Sequence, residues 1–88
     1  MHKDFVITNV QGLHARPATL LVARANSFTS HKIMLTYERE TVDLKSIMGL
    51  LSLSIPKGSL VRITVEGEGA AKVIESLSDT IAEINGIS

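Results

Sequence analysis

Apolar and polar positions along this chain repeat with two different periods, and the switches between them mark seven elements. In residues 2–9, Phe5, Ile7 and Asn9 fall on one side while Asp4, Val6 and Thr8 fall on the other. That two-residue period predicts a strand. Gln11-Gly12 supplies its closing turn. The period then lengthens. Ala18, Leu21, Val22, Ala25 and Phe28 recur at the spacing of one buried helical stripe, so residues 15–27 are predicted helical. Asn26-Ser27 and Thr29-Ser30 form the exit. Ile33, Leu35 and Tyr37 alternate with Lys32, Met34, Thr36 and Glu38, which predicts a second strand with one buried face. Glu38-Arg39-Glu40 is a tight polar connection to a short returning strand, Thr41-Val42-Asp43. Its lack of Gly or Asn argues against a simple primed two-residue turn.

The second half repeats the logic. Residues 44–53 predict a short helix with Ser46 as a good N-cap. Leu44, Leu50 and Leu53 can face a core, whereas Ile47, Met48 and Leu51 form a different face. Pro56-Lys57-Gly58 is a turn. Val61, Ile63 and Val65 alternate with Leu60, Arg62, Thr64 and Glu66 and predict a strand over 60–66. Ala70, Val73, Ile74, Leu77, Ile81 and Ile84 make the stripe of a long helix over 70–85, capped by Asn85-Gly86. The resulting order, β-α-β-β-α-β-α, belongs to the α+β class, with helices covering one face of a sheet.

Composition narrows the function classes. Eighty-eight residues, 44% of them apolar, make one domain over 1–88 with enough core to need no staple. There is no Cys, hence no disulfide framework and no thiolate metal site; no metal or cofactor is expected. Nine basic and nine acidic residues cancel, which argues against a direct nucleic-acid partner. Phe5, Phe28 and Tyr37 are too few aromatics for a base-stacking platform. The first residues carry too short an apolar run for a signal peptide, and no run approaches a membrane span, so a cytoplasmic protein without a membrane partner is expected.

Candidate chemistry concentrates in Gly12-Leu13-His14-Ala15-Arg16-Pro17-Ala18. Proline is tolerated in the first helical turn, so His14 lies at or beside an N-cap. A helix start offers unpaired backbone N–H groups and the positive end of the dipole. The N–H groups of Ala15 and Arg16 and the Arg16 guanidinium therefore suit a phosphoryl group, which the guanidinium engages with two parallel donors. A neutral imidazole is also a nucleophile able to carry that group covalently. Alternatively, His14 is a solvated cap and Arg16 a surface cation. Ser46 is at least an N-cap. On so short a helix, positions 44, 47, 48, 50, 51 and 53 cannot all face inward, so Ile47, Met48 and Leu51 read as an exposed partner-docking patch. His2 and His31 read as surface residues.

Together, Gly-Leu-His-Ala-Arg-Pro-Ala at 12–18 and Leu-Lys-Ser-Ile-Met-Gly-Leu-Leu-Ser-Leu at 44–53 resemble the two signature segments of the HPr family of phosphocarriers. The resemblance extends over the whole chain. It implies an open-faced β-sandwich, with a four-stranded antiparallel sheet and three helices on one face. It implies that His14 accepts a phosphoryl group on Nδ1 from Enzyme I and donates it to the A domain of a sugar-specific Enzyme II. It further implies that Ser46 corresponds to a serine phosphorylated by HPr kinase/phosphorylase, whose product binds a catabolite-control transcription factor. Three features depart from the usual pattern: one residue fewer before His14 and one more around Ser30-His31-Lys32, a hairpin at 38–40 without an Asn-Gly-like turn, and Gln11 before the glycine. They leave open a regulatory paralogue acting mainly through phospho-Ser46, although paralogues of that kind lack the histidine that is present here. A third alternative is a small anion-binding α+β domain.

Overall fold

The sheet is assembled from the four alternating segments and closed on one side by the helical ones. In the computed structural model, which describes residues 1–86, the order is β1 (His2–Val6), α1 (Ala15–Asn26), β2 (Lys32–Tyr37), β3 (Glu40–Asp43), α2 (Ile47–Ser52), β4 (Leu60–Glu66) and α3 (Ala70–Asn85). All strand pairs are antiparallel, and the spatial order is β1-β4-β2-β3.

Register follows from the hydrophobic alternation. Phe5 faces Val61, Leu35 faces Ile63 and Ile33 faces Val65, which places these side chains on one surface of the sheet. Burying that surface against α1, α2 and α3 makes one core. Ala18, Leu21 and Ala25 of α1, Leu50 of α2 and Leu77 and Ile84 of α3 are fully buried in it. A one-residue slip would turn every one of the strand side chains to water. The opposite face is open to solvent and carries Val6 beside Leu60 and a two-pronged pair from Arg62 to Asp4, with Nε–Oδ1 at 2.7 Å. That hydrogen-bonded guanidinium holds the Asp4 carboxyl below its ordinary range.

The first two helices each end one residue earlier than expected, at Asn26 and Ser52, and three further boundaries differ from the sequence expectation. The first strand ends at Val6 rather than residue 9, because the N–H groups of Thr8 and Asn9 are taken by the Asn85 side chain of α3 instead of a neighbouring strand. The second helix starts at Ile47, not residue 44; Leu44 lies outside it yet is fully buried, and its N–H bonds to Ile33 O. The β2–β3 connection is two residues long after all, since Tyr37 pairs with Glu40. Glu38 supplies the reversal itself at φ 56°, a left-handed conformation that costs a side-chain-bearing residue about 1–2 kcal/mol. Arg39 is not left-handed, so this is not the type I′ turn that Asn-Gly favours.

The last helix spans 70–85 as expected, but its exit is made differently. Gly86 is right-handed, at φ −81°, and bonds back to Ala82 O and Glu83 O. The left-handed glycine lies at the other end, where Gly69 has φ 74°.

Candidate functional site

Local anchoring on both sides presents His14 at the surface. Gly12, at φ 66°, passes so close to Ile55 O that any side chain there would collide with the backbone of Ile55 and Pro56. Leu13 is buried, and its N–H bonds to Ile55 O at 2.9 Å. Pro17 and Ala18 are buried on the far side. Between these two fixed points, His14 and Arg16 are exposed.

His14 is the N-cap of α1, in extended conformation at φ −100°, ψ −178°. Its carbonyl accepts the first intrahelical bond, from Ala18 N–H at 2.9 Å, while its imidazole makes no capping hydrogen bond. The N–H groups of Ala15 and Arg16 have no carbonyl one turn behind them. Pro17, in the first turn, has no N–H to satisfy. The first turn contains no acidic residue that would occupy these donors. An unengaged imidazole, two amides, the dipole end and one guanidinium thus share a single exposed helix start. Such a set suits a dianionic group held on the ring.

Ser46 caps α2 differently. Its Oγ accepts from Gly49 N–H at 3.0 Å, and its own N–H bonds to Asp43 O at 3.0 Å. Neighbouring groups brace it. Asp43 Oδ1 accepts Lys45 N–H at 2.8 Å, and Asn26 Nδ2 at the end of α1 donates to Lys45 O at 3.0 Å. Lys45 Nζ donates to Phe28 O at 2.7 Å and His31 O at 2.6 Å. The start of α2 is therefore fastened to the end of α1, and its sequel at Ile55 to Leu13. Hence α2 runs back along α1 toward His14. The twelve residues of α1, roughly 18 Å of helix, lie between His14 and the Asn26 side chain that braces Lys45.

On the run between them, Met48 is 77% and Leu51 37% exposed. Ile47 does not share their exposure: it is half-buried and packed against the core. Leu20, four residues after Arg16 on the same side of α1, is 41% exposed and went unnoticed in the sequence. The signal was an apolar residue off the buried 18-21-22-25 stripe. His2 is exposed as expected, but His31 is not a free surface residue. Its Nε2 lies 2.6 Å from Glu68 O, its ring stands edge-on to Phe28, and its Nδ1 is buried. The ring thus packs against the β4–α3 turn.

No group of His, Asp and Glu able to hold a metal ion occurs among the described residues. Among the described residues, no helix is long and apolar enough to cross a membrane.

Comparison with known proteins bears on this geometry. The family model "PTS HPr component phosphorylation site" matches residues 1–83. Among solved structures, HPr-C-His of Thermoanaerobacter tengcongensis is 36% identical at a TM-score of 0.91, covering 100% of this chain and 98% of that one. The phosphocarrier protein HPr of Bacillus anthracis is 40% identical at a TM-score of 0.84, over 91% and 94% of the two chains. Crh, a catabolite repression protein of Bacillus subtilis, is 39% identical at a TM-score of 0.72, over 84% of each.

Proposed function

Since the chain belongs to the PTS HPr family, we propose that it is the phosphocarrier of a phosphoenolpyruvate-dependent sugar phosphotransferase system and that His14 carries the group. The observation that bears most of this reading is the unengaged, exposed imidazole of His14 at a helix start beside Arg16. A lone pair on the neutral ring attacks the phosphorus of phosphorylated Enzyme I. The N–P bond forms as the bond to the donor breaks, through an in-line, loosely bonded transition state. Arg16 and the amides of Ala15 and Arg16 face the oxygens whose charge must be held throughout. The group then leaves by the reverse chemistry to the A domain of an Enzyme II. The protein needs no substrate pocket and does not turn over alone, because the reacting atoms are enclosed only when a partner covers them.

That partner needs apolar surface next to the nucleophile, to displace water from it. Met48 and Leu51, with the half-buried Ile47 behind them, supply such a surface on the path from Ser46 to His14. Phosphorylation of Ser46 by HPr kinase/phosphorylase would place about two negative charges at its upper end. With the length of α1 between it and His14, that charge acts on the shared docking surface rather than on the ring. It repels an acidic partner such as Enzyme I and attracts a basic one such as a catabolite-control transcription factor. Similarity to Crh supports a second reading, in which phospho-Ser46 is the main output and His14 is secondary. Both readings place the protein in the cytoplasm, with its partners.

Incubation with Enzyme I and phosphoenolpyruvate separates them. The carrier reading expects one acid-labile, base-stable phosphoryl group on His14. Absence of that group, with labelling of Ser46 by the kinase intact, would overturn it in favour of the second reading.

A further inference from the structure

The turn that leads into His14 is fastened by a side chain from the opposite end of the chain. After Val6 the inner side of β1 stays tied to the β4 segment: Ile7 N–H bonds to Ser59 O at 2.9 Å and Gly58 N–H to Ile7 O at 2.6 Å. Val6 O and Thr8 N–H point the other way. β1 is the edge of the sheet there, so no strand exists to receive them. Asn85, the last residue of α3, takes that place. Its Nδ2 donates to Val6 O at 2.9 Å, and its Oδ1 accepts Thr8 N–H at 2.8 Å and Asn9 N–H at 3.3 Å. One planar amide thus meets the strand as one residue of a parallel neighbour would, donating to the residue before Ile7 and accepting from the residue after it.

The fastening continues toward His14. Asn9 is 2% exposed, and its Nδ2 donates to Ile84 O, a carbonyl of the last turn of α3, at 2.8 Å. Its Oδ1 accepts Gln11 N–H at 2.9 Å, and its carbonyl accepts Gly12 N–H at 2.9 Å. Gly12 and Leu13 are then seated on Ile55, and His14 follows. Every step from the end of α3 to the residue before His14 is a hydrogen bond or a close backbone contact.

We propose that Asn85 is a positioning residue for phosphoryl transfer at His14, holding the β1–α1 connection so that the imidazole and the Ala15 and Arg16 amides keep one relative placement. The inference rests on the carrier reading given above. It does not make Asn85 catalytic, since the side chain meets backbone alone. Transfer chemistry is sensitive to displacements near 1 Å at the reacting centre, and without the amide rung the connection would lose its hold on Val6 and Thr8 and rest on Ile7, Gly12, Leu13 and the Asn9–Ile84 bond.

The test compares Asn85→Ala with Asn85→Asp and with Val73→Ala, a core truncation at the other end of α3 that lowers stability without touching the connection. For Asn85→Ala we expect faster hydrogen exchange at Thr8, Asn9 and Gly12. We also expect a drop of about tenfold in kcat for Enzyme I-dependent phosphorylation, at unchanged KM. Asn85→Asp keeps the acceptor for Thr8 and Asn9 but sets an oxygen against Val6 O, so it lies between Asn85→Ala and wild type and covers the case in which the alanine variant fails to fold. Val73→Ala should lose stability while keeping wild-type kcat. Wild-type kcat in both Asn85 variants, or equal losses in Val73→Ala, would overturn the positioning role. A wild-type protein that accepts no phosphoryl group from Enzyme I would instead overturn the carrier reading itself.

Discussion

Two helices of this protein start in opposite ways. At the head of α1, the N-cap side chain of His14 bonds to nothing in its helix, and the residue is exposed. At the head of α2, the N-cap oxygen of Ser46 already accepts Gly49 N–H, and the residue is half-buried under a brace from Asn26, Asp43 and Lys45. The difference separates reactivity from structure. His14 contributes little to holding α1, so its ring is available for chemistry at little expense to the fold. Ser46 holds α2, so modifying its oxygen must replace a cap. A phosphate can do so with its own oxygens, facing the same helix start.

The largest expected effect tests the free end. His14→Ala should abolish Enzyme I-dependent labelling while leaving the denaturation midpoint within about 0.5 kcal/mol of wild type, the range of ordinary surface changes. Full labelling of this variant would break the comparison. Next comes Arg16. Removing its charge-assisted bonds by Arg16→Ala should slow transfer by about 1–3 kcal/mol of barrier, and Arg16→Lys should recover only part of that. Transfer at the wild-type rate in both variants would remove Arg16 from the site.

Ser46 should show the reverse balance, with an effect on stability and little on basal transfer. Ser46→Ala should cost about 1 kcal/mol through the lost cap, read by chemical denaturation, and leave His14 labelling active. Ser46→Asp should slow labelling without unfolding, by less than full phosphorylation does, because a carboxylate carries less charge. An unchanged labelling rate in protein quantitatively phosphorylated on Ser46 would leave that residue a cap alone.

The smallest effect lies on the far face of the sheet and calibrates the others. Asp4 is held by Arg62, so its carboxyl protonates at lower pH in the folded chain than in the unfolded one. A group depressed in this way adds stability above its unfolded pKa, near 3.9, and loses that contribution as pH falls through the folded value. Asp4→Asn should therefore flatten acid denaturation below about pH 4 and leave His14 labelling at pH 7 untouched. Altered transfer in this variant would show that the open face communicates with the site.

Much of this was legible in the chain itself. The bounds of β4 and α3 follow the predicted 60–66 and 70–85 because long one-sided stripes leave a single way to hide them from water. Ser46 was readable as a cap because the preference is local. The end of β1 was not: the group that displaces a strand partner from Thr8 lies 77 residues away. His31 read as a surface residue because the Glu68 carbonyl that receives its ring lies 37 residues on. Ile47 could be assigned to an exposed face only while the direction of α2 over the sheet was unknown.

By itself, then, the order of residues determined the elements, the face each strand and each of the two long helices would bury, and the placing of His14, Arg16 and Ser46 at helix starts. Those features depend on period and on neighbours a few positions away. Only the tertiary structure decided that α2 runs back along α1, that Met48 and Leu51 stand clear while Ile47 turns in, and that Asn85 closes the edge beside the His14 turn. Each of these depends on which distant groups meet, and unsatisfied backbone donors and acceptors are met by whatever the packing of the core brings within hydrogen-bond reach.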